Sequence, residues 1–304
     1  MNLETAQKAA ELFFTNITQE AGGDFMFFGG EPLLNWQLMN EFIPWFNRQH
    51  NQKNIFLFTI TNGIALSSEI IDFHLAHGVR PITVSLNGDY SVHAEIKHLT
   101  ETEFKHILSM INYGVAIDPS LIVPHCLLRK KNIPLTYEIL SFIASLGVRW
   151  INLGRDLYED WDESDRMKVA KQANRVIKET GVTIQPFSEC IFNCASCYAP
   201  SIMVYPNGDV VDSCYCMASV LRDRGILTSQ DMENLVFGNL GNLKKLSIDI
   251  TGKKNMIRKH MDCHLFNENI YASINMLYSG IPGEKPYFRV MDALEGKCKA
   301  VPQI

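Results

Sequence analysis

The 304-residue sequence contains no apolar run of the roughly 18 residues that a membrane-crossing helix needs. Its first residues, MNLETAQKAAELFF, lack the basic start and apolar core of a secretory signal. Positive charge is also scarce: 28 Lys and Arg against 33 Asp and Glu give a net charge of -5. That balance excludes a surface held to nucleic acid by phosphate neutralisation. There is no internal repeat, no low-complexity tract, no Ser/His/Asp order and no phosphate-binding glycine loop. These absences predict a cytoplasmic protein whose partners are neither membranes nor nucleic acids.

What the chain does have is a large apolar fraction and an uneven distribution of cysteine. Hydrophobic residues make up 46%, enough to fill one large domain with an appendage, or two ordinary ones. A reducing cytoplasm disfavours disulfides among the eight cysteines. Five of them, Cys190, Cys194, Cys197, Cys214 and Cys216, crowd into one short loop-rich stretch. Packed thiols would scatter among strands and helices, as Cys126 does, so this crowding points to a metal site. The segment ECIFNCASCYAP (189–200) sets the first three in Cys-x3-Cys-x2-Cys order.

Up to residue 182 the pattern alternates strand and helix. A helix is predicted over 3–17, and then the apolar strand DFMFF runs into the turn GGEP. IFLFTI ends in TNG, and PITVS ends in LNG. SLIVPHCLL and VRWINLG complete five buried strands, separated by helices that include 135–146 and 162–180. Ser67 or Ser68 is a candidate N-cap, and Thr100 and Glu103 form a capping box for a helix that ends near Gly114. Such alternation predicts a parallel sheet whose ligand turns sit at the strand C-termini. From 183 the alternation stops, and IMVYPNGDVVDS reads as a hairpin turning at Asn207-Gly208. Two regions are therefore expected, 1–182 and 183–304.

Taken together, these motifs resemble the radical S-adenosylmethionine superfamily, in its subgroup with a SPASM-type C-terminal extension. FFGGEPLL (27–34) is similar to its GGE motif, and TITNGIAL (59–66) to its TNG turn. VSLNGDYSVH (84–93) is similar to its SLDG segment, with Asn87 where aspartate is usual. MVYPNGDVVDSC and FGNL look like the SPASM hairpin and the segment after it. The resemblance implies an α/β fold, a partial (β/α)6 TIM-like open barrel lacking its first strand, with a small cysteine-rich SPASM-like domain behind it. It also implies S-adenosylmethionine and [4Fe-4S] clusters as cofactors, a peptide or protein substrate, an electron-donor protein, and chemistry through a 5′-deoxyadenosyl radical. On this resemblance Glu31, with the backbone of Gly29 and Gly30, would hold the amino group of the cofactor. Asn62 and Ser85 would reach its ribose or carboxylate. No catalytic residue can be named. Read without the resemblance, GGEP is a tight βα turn with Glu31 capping the next helix.

In the family the cluster-binding cysteines precede the first helix, and nothing in this sequence stands there. Three readings follow: a shortened chain, which is preferred, one piece of a split enzyme, or a catalytically silent homologue acting as a binding partner. The Cys190–Cys194–Cys197 motif comes after the GGE, TNG and SLNG turns and just before the hairpin. It therefore fits an auxiliary cluster, with Cys214 and Cys216 nearby and Cys263 as a downstream ligand. An all-thiolate zinc site is the alternative at these spacings. His74 and His77 are expected at a helix surface, His125 as a packed side chain, LRKK (128–131) as a solvated loop, and LYEDWDESD (157–165) as helix capping.

Overall fold

The structure is a computed structural model that describes residues 1–16, 23–49, 55–156, 158–186, 202–212 and 215–243. Six strands form one parallel sheet in chain order: β1 (Gly23–Phe27), β2 (Ile55–Thr61), β3 (Val79–Ser85), β4 (Ile122–Leu128), β5 (Trp150–Arg155) and β6 (Thr183–Pro186). Right-handed crossovers that always step in the same direction put every helix on one face, so the other face is left as a concave inner surface. The helices are α1 (Leu3–Asn16), α2 (Trp36–Gln49), α3 (Ser68–Ala76), α4 (Tyr90–Lys97), α5 (Glu101–Ile117), α6 (Thr136–Ser145) and α7 (Glu163–Thr180). This is the partial, open (β/α) barrel that the sequence predicts.

Strand register sorts the side chains. Leu57, Ile82, Val84, Ile122, Cys126, Leu128, Ile151 and Leu153 point to the helices and belong to the main core. Burial of that apolar area is the dominant stabilising contribution. Ile60, Thr83, Ser85, Val123, His125 and Asn152 point to the concave face. Phe25 of β1 lies against Phe13 of α1 and Phe46 of α2, at ring-centroid distances of 5.5 and 4.8 Å, which fastens the first helix to the first strand.

Local capping follows the sequence closely. Ser67 caps α3, and Thr100 with Glu103 forms the expected capping box on α5. Asp162 and Asp165 do the same at the start of α7. Five features differ. The alternation gains a sixth strand, Thr183–Pro186, past residue 182; TIQP is too short and polar to read as a strand, but it pairs with β5. A short helix, α4, follows the SLNG turn, N-capped by Asp89. His74 is buried, not at the surface, because its side of α3 faces β2, where Thr59 Oγ1 lies 3.1 Å from its Nε2. The LRKK loop is engaged: Lys130 pairs with Asp165 at 2.7 Å, Arg129 reaches Asp156 at 3.5 Å, and Lys131 pairs with Glu95.

Gly114 does not stop α5, which continues to Ile117. The glycine is there for packing: a Cβ built on it would lie 2.4 Å from Ile122 Cγ1 on β4. Gly114→Ala is therefore expected to cost about 1–3 kcal/mol, even though alanine favours helix, and urea unfolding of the variant checks this. An unchanged unfolding midpoint would show that β4 yields at no cost.

Beyond β6, the described residues form a second, antiparallel sheet of β7 (Ile202–Val204), β8 (Asp209–Asp212) and β9 (Val236–Asn239). Helices α8 (Tyr215–Asp223) and α9 (Ser229–Glu233) connect β8 to β9. The predicted Asn207-Gly208 turn joins β7 to β8, with Gly208 at φ +88°, a left-handed backbone suited to glycine. Asn239 ties the following strand to this turn, donating to Asn207 O at 3.2 Å and to Asp209 Oδ1 at 3.0 Å. The connection after β5 meets α8 and the residue after it: Arg224 pairs with Asp160, and the Tyr158 hydroxyl donates to Asp223 at 3.4 Å.

Candidate functional site at the strand C-termini

The turn after β1 is built around Glu31. The backbone leaves the strand through Gly29, at φ +144°, and a Cβ on Gly29 or Gly30 would meet nothing within 4 Å. The protein side thus leaves open space above these glycines. Glu31 is extended and caps the 3-10 turn Pro32–Asn35, accepting the Leu33 N–H at 3.0 Å. The same carboxylate crosses to the turn after β2. It accepts the Thr61 hydroxyl at 2.7 Å and the Asn62 N–H at 2.7 Å.

Glu31 therefore fastens two neighbouring strand exits to each other. A carboxylate offers about four lone-pair positions, and donors among the described residues fill three of them. The remaining acceptor lies on a half-buried, negatively charged group at the open edge of the sheet, where an ammonium donor is the complementary partner. The second turn is equally fixed. Asn62 Oδ1 accepts the Ile64 N–H at 2.9 Å, and Gly63 N–H donates to Thr61 Oγ1 at 3.0 Å. Gly63 is also a packing requirement, since a Cβ there would sit 2.9 Å from Val84 Cγ1.

Ser85 is the last residue of β3 and faces the concave side. The register places it beside His125 of β4, and His125 beside Asn152 of β5. A hydroxyl, an imidazole and a carboxamide thus form one polar row across three strands. Burial pushes His125 down to about 4, helped by the Lys97 charge, so the ring is neutral at physiological pH. Asn152 is 5% exposed, and its Oδ1 meets no hydrogen-bond donor among the described residues. Sequence reasoning assigned His125 to packing and did not single out Asn152. Only the period-two pattern of the strands, read together with their register, could have exposed the row.

Asn87, at the SLNG turn, has a structural part. Its Oδ1 accepts the Leu127 N–H at 2.9 Å, and its own N–H donates to His93 Nδ1 at 3.0 Å. It splices the β3 exit to β4 and anchors α4. Gly29, Gly30, Glu31 and Asn62 gather at the β1–β2 exits, and Ser85 stands at the top of the next strand. Cys190, Cys194, Cys197, Cys214 and Cys263 lie outside the described residues. Cys216 falls on α8, but its side chain is also outside them.

The donor set suits a small ligand with an ammonium at one end and neutral polar groups at the other. Among the described residues, Glu31 has an acceptor to spare, the glycine turn has room, and Asn152 Oδ1 lacks a donor further along the sheet. A family model described as a 4Fe-4S single cluster domain matches residues 1–107, a stretch that contains the GGE and TNG turns and no cysteine. No curated protein matches the sequence. Among solved structures, hexahistidine-tagged anSMEcpe with bound AdoMet superposes at a TM-score of 0.63 and 13% identity, covering 97% of this chain and 89% of that one. Native anSMEcpe with bound AdoMet and Kp18Cys peptide gives 0.59 at 12% identity, covering 98% and 91%. Streptococcus suis SuiB bound to precursor peptide SuiA gives 0.51 at 13% identity, covering 93% and 68%. The resemblance to the radical S-adenosylmethionine and SPASM proteins holds: the chain has their fold.

Proposed function

We propose that this chain, on the fold of the radical S-adenosylmethionine enzymes with a SPASM-type extension, binds S-adenosylmethionine at the β1–β3 exits and modifies a peptide or protein. The observation that carries the reading is the Glu31 carboxylate, held by two turns with one acceptor position left open by the described residues, next in sequence to the unobstructed Gly29 and Gly30. When bound, the cofactor would supply radical chemistry at a substrate C–H bond, given one electron from an iron–sulfur cluster for which residues 1–125 offer no cysteine. Glu31 receives the ammonium, and the glycine turn lets the backbone approach it. Asn62 and Ser85 would reach the ribose or carboxylate of the cofactor, and Asn152 offers a further hydrogen-bond acceptor along the sheet. The concave face beneath is lined by Ile60, Thr83 and Val123, all nine-tenths or more buried, which keeps water from the reacting end. A peptide substrate is supported by the peptide-bound neighbours anSMEcpe and SuiB. An auxiliary [4Fe-4S] cluster held by ligands from among Cys190, Cys194, Cys197, Cys214, Cys216 and Cys263, an electron-donor protein and a cytoplasmic location complete the proposal.

The experiment is anaerobic reconstitution with iron and sulfide, then incubation with S-adenosylmethionine and dithionite. Iron and sulfide bound to the chain, together with release of 5′-deoxyadenosine, are the expected results. Cofactor binding by calorimetry with no 5′-deoxyadenosine would leave a binding protein on an enzyme fold. Zinc in the purified chain, with no iron uptake, would replace the cluster assignment with a structural zinc site.

A further inference from the structure

The second sheet has a cavity of its own beside the Asn207-Gly208 turn, of about 450 Å³, the size of a small-ligand site. It shares no residue with the Glu31 turn or with the Ser85 row. The sequence YPNGDV builds most of it. Tyr205 follows β7, the left-handed Gly208 reverses the chain, and Asp209 and Val211 alternate onto one side of β8. Tyr215, the first residue of α8, adds a second ring. The two tyrosines stand nearly perpendicular, at 76°, with centroids 6.0 Å apart. Val211 is buried and Val236 of β9 is exposed, so the lining runs from the core to solvent.

Asp209 is the only lining residue that carries a charge. Its Oδ2 accepts from Asn207 Nδ2 at 2.6 Å, and its Oδ1 from Asn239 Nδ2 at 3.0 Å. Both donors are neutral, so the carboxylate is held in place while its charge is not cancelled. Among the described residues no cation pairs with it: on α8, Arg222 is taken by Asp223 at 2.7 Å, and Arg224 after it by Asp160. A carboxylate and two aromatic rings lining one cavity suit an organic cation. The acceptor count narrows the class. Among the described residues each carboxylate oxygen keeps one lone-pair position, and a fork of two N–H groups uses one on each oxygen. A planar guanidinium makes that fork and stacks on tyrosine, whereas a compact ammonium makes no fork and is more strongly hydrated. Val211 and Val236 supply apolar surface for an aliphatic stem. We propose that this cavity binds a guanidinium group. Neither S-adenosylmethionine nor a cluster takes part.

The test is an NMR titration of the full chain, read at the Asn207 and Asn239 side-chain amides that donate to Asp209. The probes are N-acetyl-arginine methylamide, its lysine and citrulline counterparts, and ethylguanidinium. Citrulline keeps the shape of the arginine side chain and removes its charge. Saturable shifts are expected with the arginine compound, at a Kd at least about tenfold below those of the lysine and citrulline compounds. Asp209→Asn is expected to weaken binding about tenfold or more. Tyr215→Leu, which spares the hydrogen bonds of the turn, is expected to weaken it about threefold or more. Met167→Glu, at an exposed position on α7, should leave it unchanged. Circular dichroism checks the fold of each variant. Ethylguanidinium binding as tightly as the arginine compound would assign the cavity to free guanidinium compounds, and weaker binding to arginine within a polypeptide; both keep the guanidinium assignment. Equal or tighter binding of the lysine or citrulline compound, no saturable shift, or unchanged binding in Tyr215→Leu would overturn it. The titration contains no cofactor, so its outcome leaves the radical chemistry to the reconstitution experiment.

Discussion

Lowering the pH from 6.5 to 4 is expected to remove about 3 kcal/mol of stability for each of two buried histidines, His74 and His93. Both are fully buried. Burial is the main cause that pushes each down to about 4, with His77 adding to the effect at His74 and Lys97 at His93. At His74 the Ile70 carbonyl, 2.8 Å from Nδ1, works the other way. In the unfolded chain an imidazole binds its proton near 6.5. Between 6.5 and 4 the unfolded state thus holds protons that the folded state does not. The stabilisation is complete above 6.5 and is lost as the pH falls through this window.

Two such losses, about 6 kcal/mol together, match the whole stability of an ordinary domain, so cooperative unfolding is expected by about pH 4. Urea unfolding measured across the window checks it. His74→Gln is expected to lower stability at pH 7 and to reduce the pH slope by about one third, since His125 is pushed down to about 4 as well. A flat stability from pH 7 to 4.5 would falsify the assignment of neutral, buried rings.

The second large effect belongs to Glu31. Its carboxylate accepts two backbone N–H groups and a hydroxyl from two different turns. Glu31→Ala leaves those donors without their partner and is expected to cost about 2–4 kcal/mol, since hydrogen bonds to a charged group are among the stronger ones. Glu31→Gln separates stability from ligand binding. It keeps one carbonyl acceptor and the volume of the side chain but removes the charge that an ammonium needs. Affinity for S-adenosylmethionine is expected to fall at least tenfold, by about 1.4 kcal/mol or more, while the far-UV spectrum is retained. Calorimetric titration reads this directly. Unchanged affinity in Glu31→Gln would mean that the carboxylate serves only to join the turns, and that the cofactor amine sits elsewhere.

The two effects differ in how legible they were. Glu31 stood out because GGEP follows an apolar strand, and glycine pairs at strand ends are rare enough to mark a turn. Its bonds to Thr61 and Asn62 were not legible, because thirty residues separate the partners and only β1–β2 pairing brings them together. His74 was misread as a surface group. On a helix as short as α3, a half-turn of rotation decides which side meets the sheet, and no strong apolar stripe fixed it in advance.

What the sequence determined by itself was local. Apolar runs alternating with helical spacing specify a parallel sheet, and Ser67, Thr100 and Asp162 specify helix starts. Asn207-Gly208 specifies a hairpin. These features depend on neighbours a few residues away, so backbone sterics and capping bonds suffice to set them. Tertiary structure decided the rest. It drew TIQP into a sixth strand by pairing it with β5, and carried α5 through Gly114 because Ile122 fills the space a side chain would take. It also aligned Ser85, His125 and Asn152 into one polar row. Each of these rests on register between distant segments, and a one-residue slip would turn every such side chain to the opposite face.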